Sequence, residues 1–308
     1  MVGTRPIILY GGELLMALFE GSGVAIVTPF DEDTKINYTA YEKLVNFQIE
    51  NGSDAIIVSG TTGESSTLSY EEKIELVRFT VEIVKKRVPV IGGAGSNNTA
   101  HSVDLCRGVQ EAGADACLVV TPYYNKTTQK GLIQHYKTIA NAVDLPIILY
   151  SVQSRTGMNI TAKTALELSK VENIVAIKEA SGNISQVAEI AELCGDSLDI
   201  YCGNDDQIVP ILSLGGKGVI SVLANIAPRQ VHEIARKYLD GDMKESLKLQ
   251  IESLGVIRGL FKEVNPIPVK TALNLMDMDK GILRLPLIEM DELNKNFLIK
   301  EMKSYGLI

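Results

Sequence analysis

Residues 173–183 read Asn173-Ile174-Val175-Ala176-Ile177-Lys178-Glu179-Ala180-Ser181-Gly182-Asn183. The apolar run 174–177 has the length and composition of a strand buried on both faces, as strands of parallel sheets are. Lys178 stands where that strand ends. An ammonium there is costly to desolvate, and burial would pull its pKa down. A lysine that has lost its proton is a nucleophilic amine and can form a Schiff base with a ketone. The plainer reading is a lysine that reaches for solvent or pairs with Glu179, and for one lysine taken alone that reading prevails. The rest of the chain bears on the choice.

Working outward, similar short apolar runs recur at regular intervals. Residues 24–28, 55–59, 88–91, 116–121 and 146–150 read as strands before it, and 198–202 and 218–222 after it. Between them lie amphipathic stretches at 37–51, 70–87, 100–112, 131–143, 162–170, 184–194, 208–214 and 228–239. The first of these puts Tyr41, Leu44, Val45 and Ile49 on one helical face. Gly113 is a normal helix stop, and Pro228 suits a first helical turn. Strict alternation of strand and helix implies a parallel sheet. Eight such units predict a (β/α)8 TIM barrel, an α/β fold, rather than an open doubly wound sheet. No G-x-G-x-x-G follows the first strand, which weakens the dinucleotide-binding alternative. The clusters Gly92-Gly93-Ala94-Gly95 and Gly215-Gly216-Lys217-Gly218 do not match a P-loop and read as tight turns. The predicted division is a catalytic barrel over 16–240 and a C-terminal helical domain over 241–308. Residues 1–15 read as an upstream extension, with Met16 as the natural start.

Composition narrows the function classes. The formal net charge of -8 over 308 residues argues against nucleic acid and anionic membrane as partners. Cys106, Cys117, Cys194 and Cys202 include no C-x-x-C pair, which suits free thiols in a reducing cytoplasm. His101, His135 and His232 have no metal-ligand spacing, so no metal is expected.

In barrels of this type, chemistry gathers at the C-terminal ends of the strands. The polar residues that sit oddly beside apolar strands fall there. Thr61 and Thr62 follow strand two, and Tyr123 and Tyr124 follow strand four. Tyr150 ends strand five with Arg155 just beyond, and Lys178 ends strand six. Each alone has a dull explanation, since tyrosines at strand ends commonly pack half-buried. Together they support one chemistry. A neutral Lys178 would attack a 2-oxo acid, and the resulting iminium would act as an electron sink. A tyrosine hydroxyl would move protons, with help from its neighbours because its reference pKa is about 10. Threonine hydroxyls and turn amides would hold one carboxylate, and the arginine fork a second.

These motifs have a family resemblance. Gly60-Thr61-Thr62-Gly63-Glu64-Ser65, Thr121-Pro122-Tyr123-Tyr124-Asn125, Tyr150 with Ser154-Arg155-Thr156-Gly157, and Ile177 through Asn183 stand in order along the chain. Gly218-Val219-Ile220-Ser221 and Asn265-Pro266-Ile267-Pro268-Val269-Lys270 continue the pattern. From about residue 21 to its end the chain resembles the dihydrodipicolinate synthase and N-acetylneuraminate lyase family of Schiff-base aldolases. The resemblance implies the barrel with its C-terminal helical domain. It implies condensation of pyruvate with L-aspartate-4-semialdehyde towards diaminopimelate and lysine. Lys178 would form the Schiff base, and Tyr150 would be the main proton donor and acceptor. Thr61 would link Tyr150 to Tyr124, which in the family reaches in from the neighbouring subunit of a homodimer or homotetramer. Thr62 would bind the pyruvate carboxylate, the Ile220 carbonyl would lie near pyruvate, and Arg155 would bind the carboxylate of the semialdehyde. No cofactor is implied, because the lysine provides the electron sink.

Two departures stand out. Where the family usually has Asn-Val-Pro, this chain has Ser151-Val152-Gln153, which removes a rigid turn residue ahead of Arg155. Feedback-inhibited members bind lysine with two histidines and a glutamate, where this chain has Tyr70, Lys73 and His101, although Asn97, Ser65 and Tyr123 match. Weak or absent lysine inhibition is therefore expected. Two other readings stay open: an aldolase or lyase for another 2-oxo acid, against which Arg155 speaks, and a non-catalytic 2-oxo-acid sensor, against which the set Lys178, Tyr150, Thr61 and Tyr124 speaks.

Overall fold

The computed structural model describes residues 17–308 together with two short strands, Leu9–Tyr10 and Glu13–Leu14, which pair antiparallel. The extension read over 1–15 otherwise lies outside the described residues.

Eight parallel strands close into a barrel. They are β1 (Gly21–Ala25), β2 (Ala55–Val58), β3 (Val90–Gly93), β4 (Ala116–Val120), β5 (Ile147–Ser151), β6 (Ile174–Glu179), β7 (Asp199–Cys202) and β8 (Gly218–Ser221). Each pairs with its neighbour in sequence, and β8 pairs back onto β1. Around them run α1 (Tyr38–Glu50), α2 (Tyr70–Val84), α3 (Thr99–Glu111), α4 (Gln129–Ala140), α5 (Ala162–Leu168), α6 (Ile184–Cys194), α7 (Ile208–Ser213) and α8 (Pro228–Leu239). Then follow α9 (Met243–Leu260), α10 (Ile267–Leu275) and α11 (Glu292–Tyr305). The architecture is the predicted TIM barrel with C-terminal helices. No described helix is long and apolar enough to cross a membrane.

The strands are buried on both faces and split their side chains by a period of two. Ala55, Ile57, Ile148, Ala176 and Ile220 belong to the barrel interior. Ile56, Ile147, Leu149, Ile177 and Val219 pack instead in the larger apolar layer shared with the helices. Phe19 stacks on Tyr201 inside the barrel, ring centroids 4.3 Å apart, and accepts the Tyr201 hydroxyl on its carbonyl at 2.8 Å.

The glycine clusters correct the sequence reading. Gly92 and Gly93 do not form a turn; they end β3, which starts two residues later than the predicted strand. A Cβ on Gly93 would stand 2.3 Å from the Ser59 carbonyl oxygen, and one on Gly92 would stand 2.6 Å from Val109. These positions are glycine because neighbouring backbone and a helix come too close for anything larger. Gly218 likewise opens β8 against Gly21, where a Cβ would stand 2.1 Å from the Gly21 carbonyl oxygen. This pairing also explains why β1 begins at Gly21 rather than at residue 24. Only Gly215, at φ +88, keeps the turn role. Helix α2 ends at Val84, short of the predicted 87, because Lys85 turns left-handed at φ 52. Helix α4 starts at Gln129, where the Thr128 hydroxyl caps it, and stops at Ala140, three residues before the predicted end.

Candidate active site

Lys178 and Tyr150 are register partners in β6 and β5, and both side chains share the parity that points into the barrel. Lys178 is 5 % exposed and Tyr150 7 %. The Lys178 Nζ lies 4.4 Å from the centroid of the Tyr150 ring, a distance at which the ring's negative face attracts an ammonium.

The plainer pairing of Lys178 with Glu179 does not occur. Adjacent strand residues point to opposite faces. Glu179 therefore faces the helices, where its carboxylate accepts from Ser181 N at 2.6 Å and from Gln186 Nε2 at 3.2 Å. Burial pushes its carboxyl above the ordinary range. The lysine is left to the barrel interior.

The cavity at the strand ends measures about 270 Å³, with Thr61, Tyr150, Arg155, Tyr123, Ser65 and Lys73 among its walls. Three predicted residues thus share one space. Lys178, Thr62 and Ile220 do not line it. Ile220 is fully buried in β8 among the interior residues. Thr62 is 2 % exposed, and its Oγ1 accepts from Asn265 Nδ2 at 2.9 Å. Arg155 sits on a single helical turn, Gln153–Thr156, that leaves β5 directly. Val152 accepts from the Arg155 backbone N at 3.0 Å, so a helical turn stands where the family carries proline. The Arg155 Nη2 donates to the Asn265 carbonyl at 3.2 Å. Tyr124 behaves differently: it is 91 % exposed at φ 66 and projects away from its own chain.

Two residues escaped the sequence analysis. Asp205, 2 % exposed, follows β7, and its Oδ2 accepts from Val222 N at 3.1 Å and Leu223 N at 2.9 Å. Burial raises its pKa, against the lowering effect of the nearby Lys178 charge and of its hydrogen bonds. Its run Gly203-Asn204-Asp205-Asp206 after a strand was the available signal. Asn265 was visible only as part of a motif. Lys73, considered for regulation alone, lines the cavity, and burial lowers its pKa. Among the described residues no cluster of histidine, cysteine, aspartate or glutamate could hold a metal ion.

Comparison with known proteins gives a consistent result. The model of the "Dihydrodipicolinate synthetase family" matches residues 18–304. The chain is 60 % identical over 294 residues to a 4-hydroxy-tetrahydrodipicolinate synthase of Lachnoclostridium phytofermentans, covering 95 % of this chain and 100 % of that one. A crystal structure of dihydrodipicolinate synthase from Thermotoga maritima superposes with a TM-score of 0.93 at 43 % identity, covering 94 % of this chain and 100 % of that one. A Cyanidioschyzon merolae counterpart, solved with lysine bound, gives 0.92 at 39 % identity over 94 % of this chain and 99 % of that one.

Proposed function

The chain belongs to the dihydrodipicolinate synthetase family, and from that premise we infer that its activity is that of a 4-hydroxy-tetrahydrodipicolinate synthase, a carbon–carbon condensing lyase of lysine and diaminopimelate biosynthesis. The observation that carries the residue assignment is the juxtaposition of Lys178 with Tyr150 in the barrel wall.

In this reading the Lys178 amine attacks the ketone carbon of pyruvate, and loss of water leaves an iminium. Tyr150 takes and returns the protons of these steps, relayed through Thr61, which shares its cavity. The iminium acidifies the adjacent methyl, the base removes its proton to leave an enamine, and the enamine carbon attacks the aldehyde carbon of L-aspartate-4-semialdehyde, whose oxygen takes the proton back. The substrate's own amino group then displaces the lysine, closing the ring and restoring the free amine. Thr62 holds the pyruvate carboxylate near the Ile220 carbonyl, and Arg155 holds the carboxylate of the semialdehyde. Arg155 stands at the cavity on the exposed side, where a second substrate would arrive.

The outward course of Tyr124 suits a residue that completes a neighbour's site rather than its own, so the working unit is a homodimer or a homotetramer built from such pairs. The barrel over 16–240 carries the chemistry and 241–308 forms the helical domain, in a cytoplasmic enzyme. Lysine inhibits weakly or not at all, because Lys73 places a cation on the wall beside Ser65 and Tyr123.

The test is a borohydride trap with pyruvate, read by peptide mapping, with and without the semialdehyde. An adduct on Lys178 that the semialdehyde diminishes is the expected result. An adduct indifferent to the semialdehyde would transfer the chain to another 2-oxo-acid aldolase, and no adduct would leave a sensor.

A further inference from the structure

Asn265 lies beyond α9 and just before α10, far along the chain from every residue of the barrel loops it touches. It is 5 % exposed. Its two polar ends face two different site residues. The side-chain Nδ2 donates to Thr62 Oγ1 at 2.9 Å, and the backbone carbonyl accepts from Arg155 Nη2 at 3.2 Å. The sequence separations are 203 and 110 residues, so neither contact is a by-product of local geometry. A third polar atom, Oδ1, is buried and has no hydrogen-bond partner among the described residues.

A threonine hydroxyl has one proton to give and two lone pairs to receive with. When an amide N–H occupies a lone pair of Thr62 Oγ1, the hydroxyl's own proton is left free to point at an acceptor. A carboxylate is such an acceptor, and a hydroxyl with its rotor fixed in advance binds it without first being ordered. On the other side, the carbonyl bond restrains a long, exposed arginine whose freedom would otherwise oppose binding.

We propose that Asn265 is a positioning residue: its amide turns the Thr62 hydroxyl toward the carboxylate of the first substrate while its carbonyl steadies Arg155 for the carboxylate of the second. The proposal rests on the reading of Thr62 and Arg155 given above. It assigns to the C-terminal segment a part in seating both substrates.

The test uses the full-length chain and measures half-saturation by pyruvate in the borohydride trap, KM for the semialdehyde, and melting temperature. Asn265→Ala removes the amide and keeps the backbone carbonyl. Pyruvate half-saturation is expected to rise about tenfold, the size of one hydrogen bond. KM for the semialdehyde is expected to stay within about twofold, since the carbonyl remains. Asn265→Asp has the same shape but can only accept, so it draws the Thr62 proton to itself. This variant is expected to be at least as impaired toward pyruvate as the alanine variant, and it serves if the alanine variant does not fold. In the pair Thr62→Val with Asn265→Ala, the second change is expected to add nothing to the first.

Restoration of parent behaviour by Asn265→Asp would show that shape alone matters and would overturn the proposal. So would an equal rise for both substrates, or additive effects in the double variant. If Thr62→Val alone leaves pyruvate half-saturation unchanged, the assignment of Thr62 falls, which separates that failure from one confined to Asn265.

Discussion

The Lys270 ammonium lies 2.7 Å from a carboxylate oxygen of Glu64, and neither side chain is exposed to solvent. The same ammonium donates to the Thr28 carbonyl at 2.8 Å and stands 4.3 Å from the centroid of the Phe30 ring. Burial draws the Lys270 pKa down and the Glu64 charge opposes it. Glu64 also accepts from Arg284 N at 3.1 Å, and the Arg284 guanidinium is held in two bonds by Glu72. Helix α10 and the segment after it are thereby fastened to the loop that carries Thr61 and Thr62.

Removing one partner of a buried pair strands the other charge. Lys270→Met is expected to destabilise the chain by roughly 3–5 kcal/mol, read from the urea unfolding midpoint. Adding Glu64→Gln to it removes the stranded charge, and most of the loss is expected to return. A double variant no better than the single one would count against this account.

Tyr150→Phe keeps the ring beside Lys178 and deletes only the hydroxyl. If that hydroxyl moves protons, kcat is expected to fall by roughly 10²–10⁴ while pyruvate still forms a trappable adduct at saturation. Steady-state kinetics beside the borohydride trap decide the matter. Loss of the adduct as well would move the role of Tyr150 from proton transfer to holding Lys178.

Gly203 borders the lysine. A Cβ there would stand 3.2 Å from Lys178 Cε, 2.7 Å from Ala180 Cβ and 3.0 Å from the Glu179 carbonyl oxygen. Gly203→Ala must therefore shift β6 or the Lys178 stem. Displacing a reacting group by a fraction of an ångström to an ångström costs up to roughly a hundredfold in rate. Activity is expected to fall by about that factor, with the rate of adduct formation falling in step.

Two histidines give stability opposite slopes with pH. The His232 Nδ1 lies 2.9 Å from Asp54 Oδ2, and this hydrogen bond holds its pKa above 6.5. The native chain then binds more protons than the unfolded one just above that value, so stability falls as pH rises through the window. Burial lowers the His135 pKa from 6.5 to about 4. There the unfolded chain takes the proton first, and stability falls as pH drops from 6.5 toward that value. In melting curves taken at about one-unit steps across both windows, His232→Gln is expected to flatten the alkaline slope. His135→Gln is expected to flatten the acid one.

The alternation of apolar runs and amphipathic stretches made the barrel legible, because each unit's pattern is written locally. Lys178 stood out only in company: alone its plainer reading prevails, but Thr61, Tyr150 and Arg155 follow neighbouring strands in the same way. Strand edges at Gly21, Gly92 and Gly93 were misread because glycine signals a turn as readily as a close approach. Only the Ser59 carbonyl, Val109 and the partner strand settle which. The direction of Glu179 followed from strand parity once β6 was known to include it. Asn265 stood in a motif, but its contacts were hidden, since its partners Thr62 and Arg155 lie 203 and 110 residues away. The His232 and Asp54 pair, 178 residues apart, was hidden in the same way.

Synthesis proceeds from the N-terminus, so the loop bearing Thr61 and Thr62 leaves the ribosome long before Asn265, Lys270 and Arg284 arrive to grip it. Lys178 is also translated ahead of them. A growing chain therefore holds its amine before the loop beside it is fastened. A chain that stops at residue 260 has all eight barrel strands and lacks Asn265, Lys270 and Arg284, so the loop bearing Thr61 and Thr62 stays unfastened.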